Sequence, residues 1–280
     1  MGVLGPPGRV LFCEGKEDGL DQLVLSRLLE GAAGWTVVPT FSKSGYGSFA
    51  KGYLRSKDPA SWSGVLDRDF DLRPPDAPQL LSDPRDRSVW RLHRAEIENY
   101  LLDPDLIAAY WREGEAGGKP EFRRAESPAQ IRARIEAAAR ALVSYEATRW
   151  ALATLRDRQP RRLTTTWRGS GDPPPVAELS LDECTRRAGA MLTEHPPLRL
   201  QDLERETGAL VERFECEEFW RSSSHLVWFS GKDIAKQIQR QDPDLFNLSG
   251  GYLKYAAQNF DWTAHPDLVE LSQRLREPAR

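Results

Sequence analysis

The sequence predicts an α/β fold, a mainly parallel sheet flanked by helices, carrying an inserted or appended mainly helical lobe. Three observations carry that expectation. Residues 8–13 hold four apolar residues in a row, which suits a strand buried on both faces of a parallel sheet, and further strand-like runs follow at 35–39 and 63–66. Between the first two, Leu20, Leu23, Val24, Leu28 and Leu29 recur at helical spacing, which gives the strand–helix alternation of α/β proteins. After Gly114 the strand-like runs give way to longer amphipathic segments.

Taken in order, residues 8–13 form the first strand, bounded by Pro6-Pro7-Gly8, and a helix follows from Gly19 to Glu30, closed by Gly31 and Gly34. Trp35 to Pro39 is the second strand, Ser42 to Gly47 a polar glycine loop, and Ser48 to Ser56 a short helix with Phe49, Tyr53 and Leu54 inward. Ser63 to Leu66 is the third strand. Leu72 to Arg87 is rich in Pro and Asp and reads as a loop. Val89 to Leu92 is a fourth strand, with helices at Glu96–Leu102 and Asp105–Trp111.

Beyond a connector at Glu115–Pro120, Pro128 to Arg158 is the longest periodic segment. A loop at Gln159–Pro175 with room for a strand at Leu163–Trp167, helices at Leu181–Thr193 and Leu200–Trp220, and a last strand at Leu226–Phe229 are expected next. Helices at Asp233–Gln241, Tyr252–Phe260 and Pro266–Arg276 complete the series. The expected domains are an α/β part at 8–113, completed by 224–241 if the last strand joins its sheet, a helical lobe at 120–222, and C-terminal helices at 242–280.

Composition narrows the class. Of 280 residues, 40% are hydrophobic and 29% charged, so the chain can build a core and is not a disordered one. No apolar run reaches membrane-span length, and residues 1–9 lack a signal-peptide pattern. Cys13, Cys184 and Cys216 are odd in number and dispersed, which points to a reducing, cytoplasmic setting without disulfides or a cysteine zinc site. A net charge of −3 does not advertise nucleic-acid binding, although acidic site residues can mask a local basic face.

The chemistry concentrates where apolar runs end in acids. Val10-Leu11-Phe12-Cys13 leads into Glu14-Gly15-Lys16-Glu17-Asp18, and Gly64-Val65-Leu66 leads into Asp67-Arg68-Asp69. Open parallel sheets place their sites at the carboxyl ends of strands. Gly15 lets the chain turn, Asp18 falls in the first turn of the next helix, and Asp67 and Asp69 share a face if the third strand continues. Carboxylates gathered in this way repel one another unless a cation is present, and oxygen-only donors suit Mg²⁺ or Mn²⁺.

These residues resemble the TOPRIM domain, a Rossmann-like module of topoisomerases, primases and OLD-type nucleases. Glu96-Ile97-Glu98-Asn99-Tyr100-Leu101-Leu102 is similar to a segment of stand-alone, OLD-related TOPRIM proteins, among them the nuclease effectors of PARIS-type anti-phage defence systems. Phe229-Ser230-Gly231-Lys232-Asp233 resembles a late element of that group. One departure is that Phe70-Asp71-Leu72 stands where the family usually has a glycine after the aspartate pair.

The resemblance implies a Mg²⁺- or Mn²⁺-dependent nuclease acting on DNA or RNA. Glu14 is then the general acid/base or a metal ligand, and Asp18, Asp67, Asp69 and Glu98 are further metal ligands. It also implies an ABC-type ATPase partner, which must act in trans because the chain has no Walker loop. A homodimer is compatible with this picture, and a non-catalytic binding or regulatory subunit of such an ATPase complex is the alternative.

Basic residues supply the remaining candidates. Gly231-Lys232 at a helix start can offer N–H groups and a charge to a phosphate, which makes Lys232 a catalytic or nucleic-acid-binding candidate. Lys43 in the glycine loop and the Arg161-Arg162 pair are nucleic-acid-binding candidates, with plain solvated surface as the competing explanation. The tryptophans fall mostly on apolar stripes and suit core packing better than base stacking.

Overall fold

A computed structural model describes residues 8–32, 34–42, 45–48, 52, 62–117, 126–158, 163–168, 172–241 and 250–277. The chain divides into two compact units. Among described residues the first holds those up to 68, from 74 to 97 and from 250 on. The second holds 69–73 and 98–241.

The first unit is an α/β unit built on a five-stranded sheet. Its strands are β1 (Arg9–Cys13), β2 (Trp35–Pro39), β3 (Trp62–Leu66), β4 (Leu81–Asp83) and β5 (Asp86–Arg91), in the order β2-β1-β3-β5-β4. Every pairing is parallel except β4 with β5. Register sets Cys13 beside Pro39 and Phe12 beside Gly64, so the carboxyl ends of β1, β2 and β3 share one edge.

Alternation along the strands sends Phe12, Trp62, Leu66 and Val89 to one apolar cluster with Tyr46. Residues 45–48 are helical, and the Tyr46 ring lies against β3 where Gly64 has no side chain; a Cβ there would come within 2.7 Å of it. Helix α1 (Leu20–Leu28) buries Val24, Leu25 and Leu28.

The second unit is helical. It comprises α2 (Ile97–Leu101, from its second residue on), α3 (Pro104–Ala116), α4 (Pro128–Ala141), α5 (Val143–Arg156), α6 (Leu181–Leu192), α7 (Leu200–Glu215), α8 (Glu217–Arg221), α9 (His225–Trp228) and α10 (Gly231–Gln241). Helix α4 starts at a capping box in which Ser127 and Gln130 exchange bonds, with Pro128 at the first helical position. Helix α5 is buried nearly all round, from Tyr145 to Leu155, as a central core helix should be. Around Trp150 and Phe214 gather Phe70, Phe219, Trp228 and Phe229 in mostly edge-on contacts. Trp111, Trp150, Trp220 and Trp228 are buried, as core packing requires.

The last helices return to the sheet unit: α11 (Gly250–Asn259) packs on α1, and α12 (Pro266–Arg276) follows it. Arg27 donates to the Phe260 carbonyl at 2.7 Å, and Trp35 Nε1 to the Leu275 carbonyl at 2.7 Å. Asp267 accepts the His93 backbone N–H at 2.9 Å.

Several expectations need correction. Leu226–Phe229 is not a strand: α9 covers most of it, and Trp228 and Phe229 serve the aromatic core of a helical unit. A run that short has no periodicity with which to separate strand from buried helix. Residues 224–241 therefore lie in the second unit and complete no sheet. Leu163–Trp167 is irregular, as the loop reading has it, and the strand allowed within that loop does not form.

The long segments at 128–158 and 200–220 are each two helices, broken at Leu142 and at Cys216. The Pro-rich stretch ends in a hairpin, because Pro84 and Arg85 form the turn between β4 and β5. Residues 45–47 are already helical, and most of the helix expected at 48–56 lies outside the described residues. Among the described residues no helix is long and apolar enough to cross a membrane.

Candidate metal centre

In the sheet unit, the edge formed by β1, β2 and β3 brings two of the expected acids together. Glu14 leaves the end of β1 and Asp67 the end of β3. The Asp67 backbone N–H donates to Glu14 Oε1 at 3.0 Å, a charge-assisted bond that fixes the carboxylate against the neighbouring strand end.

The surrounding backbone is laced to the same edge. Thr40, fully buried after β2, donates both its N–H and its hydroxyl to the Cys13 carbonyl at 2.9 Å. Phe41 N–H donates to the Gly15 carbonyl at 2.8 Å. Arg91 Nη1 donates to the Asp67 carbonyl at 2.6 Å, while its Nε and Nη2 grip Asp83 Oδ2 at 2.9 and 2.7 Å.

Burial works against ionisation of Asp83, but the Arg85 N–H and the Arg91 guanidinium hold its carboxyl below the usual range. Arg68, between the two aspartates, is fully buried and donates Nε to the His93 carbonyl at 3.1 Å.

Negative charge accumulates at this edge. Burial first, then Asp21, Asp67 and Glu14, push the Cys13 thiol far above its ordinary value. Asp21 is the acid that sequence reasoning missed. It occupies the first turn of α1, and its Oδ2 would stand 3.2 Å from a Cβ at Gly15, where the backbone turns with φ +78°.

Asp18 does not hold the position expected of it. It precedes the helix, is exposed, has φ 55°, and donates its N–H to Gln22 Oε1 at 2.8 Å. Glycine at residues 15 and 19 lets the chain make a longer turn than one acid-capped helix start needs, so the first-turn acid is Asp21.

The other expected residues belong to the second unit. Asp69 has φ 46°, a left-handed conformation that cannot extend a strand, so the shared face expected for Asp67 and Asp69 does not form. Residues 70–71 are held within that unit: Arg156 donates to the Phe70 carbonyl at 3.0 Å and pairs with Asp71 at 3.3 Å.

Glu98 and Lys232 come together there, with Oε1 and Nζ 3.6 Å apart. Asn99 fixes them from below. Its Oδ1 accepts the Gly231 N–H at 3.1 Å, and its Nδ2 donates to the Phe229 carbonyl at 2.9 Å. This clamp could not be read from sequence, since its partners lie some 130 residues on. Lys43, Arg161 and Arg162 lie outside the described residues.

Among the described residues no group of three His, Cys, Asp or Glu side chains is close enough to hold a metal ion by itself. The donor set nevertheless suits one kind of cation. Glu14 and Asp67 carry oxygen donors only, at adjacent parallel strand ends, and Mg²⁺ characteristically takes one or two carboxylates and completes its shell with water. No protein-family model matches this chain, and neither does any curated protein sequence.

Proposed function

We propose that the chain is a divalent-metal-dependent nuclease of the TOPRIM type that hydrolyses DNA or RNA phosphodiesters. The observation that supports it is the Glu14–Asp67 pair at the carboxyl edge of a parallel sheet, which agrees with the motif resemblance at both residues. When bound, Mg²⁺ or Mn²⁺ supplies neutralising charge for the phosphodiester. Glu14 is held in one orientation by the Asp67 N–H and acts at the water or hydroxyl that attacks phosphorus. Asp67 is fixed by Arg91 through its carbonyl, and its carboxylate is assigned to the metal.

The test is cleavage of labelled DNA and RNA oligonucleotides with Mg²⁺ or Mn²⁺ by the wild type, Glu14→Ala and Asp67→Ala. Loss of cleavage in both variants is expected. Equal cleavage by all three overturns the assignment.

A further inference from the structure

We propose that Phe41 is a stacking platform for one unpaired nucleobase, which makes single-stranded or locally unpaired nucleic acid the substrate class; this rests on the nuclease assignment above. Phe41 is 69% exposed, the most exposed large hydrophobic side chain among the described residues. Its backbone has φ 65°, a conformation that bulky residues rarely adopt. The Ser42 N–H donates to the Thr40 carbonyl at 2.8 Å across it, closing a tight γ-type turn of the strained kind.

The surrounding bonds enforce that conformation. Phe41 N–H is taken by the Gly15 carbonyl at 2.8 Å, and Thr40 is fully buried with its hydroxyl on the Cys13 carbonyl. A phenyl ring is therefore held out in water by a backbone strained to do so, one hydrogen bond away from the residue that follows Glu14. Strain of this sort persists where the surrounding structure over-determines it, and it clusters at functional sites. An aromatic face accepts any base by stacking but cannot reach one inside a duplex, so the base must be unpaired.

The experiment measures binding in EDTA of a fluorescent single-stranded oligonucleotide, and of its blunt duplex, by the wild type, Phe41→Gly and Phe41→Trp. Glycine removes the ring and suits the positive φ, so Tm is expected not to fall. Phe41→Gly should weaken single-strand binding roughly 5- to 100-fold and leave duplex binding unchanged, and Phe41→Trp should retain it. Equal single-strand affinity for Phe41→Gly and the wild type overturns the proposal, as does a wild type that binds neither probe.

The outcome is separable from the nuclease assignment. Affinity that depends on Phe41 alongside cleavage that survives Glu14→Ala would leave the stacking site standing and remove the nuclease. Cleavage that depends on Glu14 with indifference to Phe41 would do the reverse.

Discussion

Asn99 holds Gly231 at the start of α10 through a side-chain oxygen that accepts the glycine N–H at 3.1 Å, while the same amide donates to Phe229. Asn99 is fully buried, so Asn99→Ala strips that partner from two backbone groups and is expected to cost about 2–4 kcal/mol. Gly231→Ala tests the contact from the other side. A Cβ there would meet the Asn99 backbone nitrogen at 2.7 Å, although alanine is otherwise the better helix residue. Denaturant unfolding of both variants checks this, and an unchanged midpoint for Gly231→Ala would contradict the packing.

Glu14→Gln separates charge from shape. The amide oxygen can still accept the Asp67 N–H, so Tm is expected to move by no more than about 2 °C. Metal-dependent cleavage should fall at least roughly 100-fold, since the proton-accepting carboxylate is gone. Scanning calorimetry beside the cleavage assay reads both quantities.

Arg91 joins the hairpin to the edge of the site. Arg91→Leu leaves the buried Asp83 carboxylate without its guanidinium and is expected to cost about 3–5 kcal/mol. The Asp83 carboxyl lies below its unfolded value of 3.8, so its contribution is complete above that value and is lost as pH falls through the lower folded one. Acid titration of stability should show this loss in the wild type and not in Asp83→Asn.

His93 works in the same pH direction, in a higher window. Burial lowers its value from 6.5, with Asp267 opposing and Arg68 and Arg94 adding to the shift. Above pH 6.5 neither state is protonated and the residue contributes no slope. Below it the unfolded chain takes up a proton that the folded chain resists, so stability falls with falling pH, by at most about 1.4 kcal/mol per pH unit for one group. His93→Gln should flatten the curve of unfolding free energy between pH 7 and 5; a curve as steep as the wild type would remove His93 as the cause.

β1 and β3 were legible because they lie inside the sheet and end in buried apolar residues that lead into Glu14 and Asp67. Leu226–Phe229 has the same look for another reason, an aromatic core around Trp150 and Phe214, and composition cannot separate the two. The hairpin at 81–91 was hidden by prolines, which forbid a helix but sit comfortably in a turn at Pro84. Asp21 was passed over because an acid in a first helical turn is ordinary. Only the turn at Gly15, which sets its carboxylate beside that glycine, gives it a place near Cys13. Asn99 gave no signal, since its partners are defined by tertiary packing alone.

The bond from the His93 N–H to Asp267 spans 174 residues of chain. At synthesis rates of about 5–20 residues per second, that interval is roughly 10–35 s on a ribosome. For that time all five strands have been made, and the His93 N–H waits for an acceptor that arrives only with the last helix.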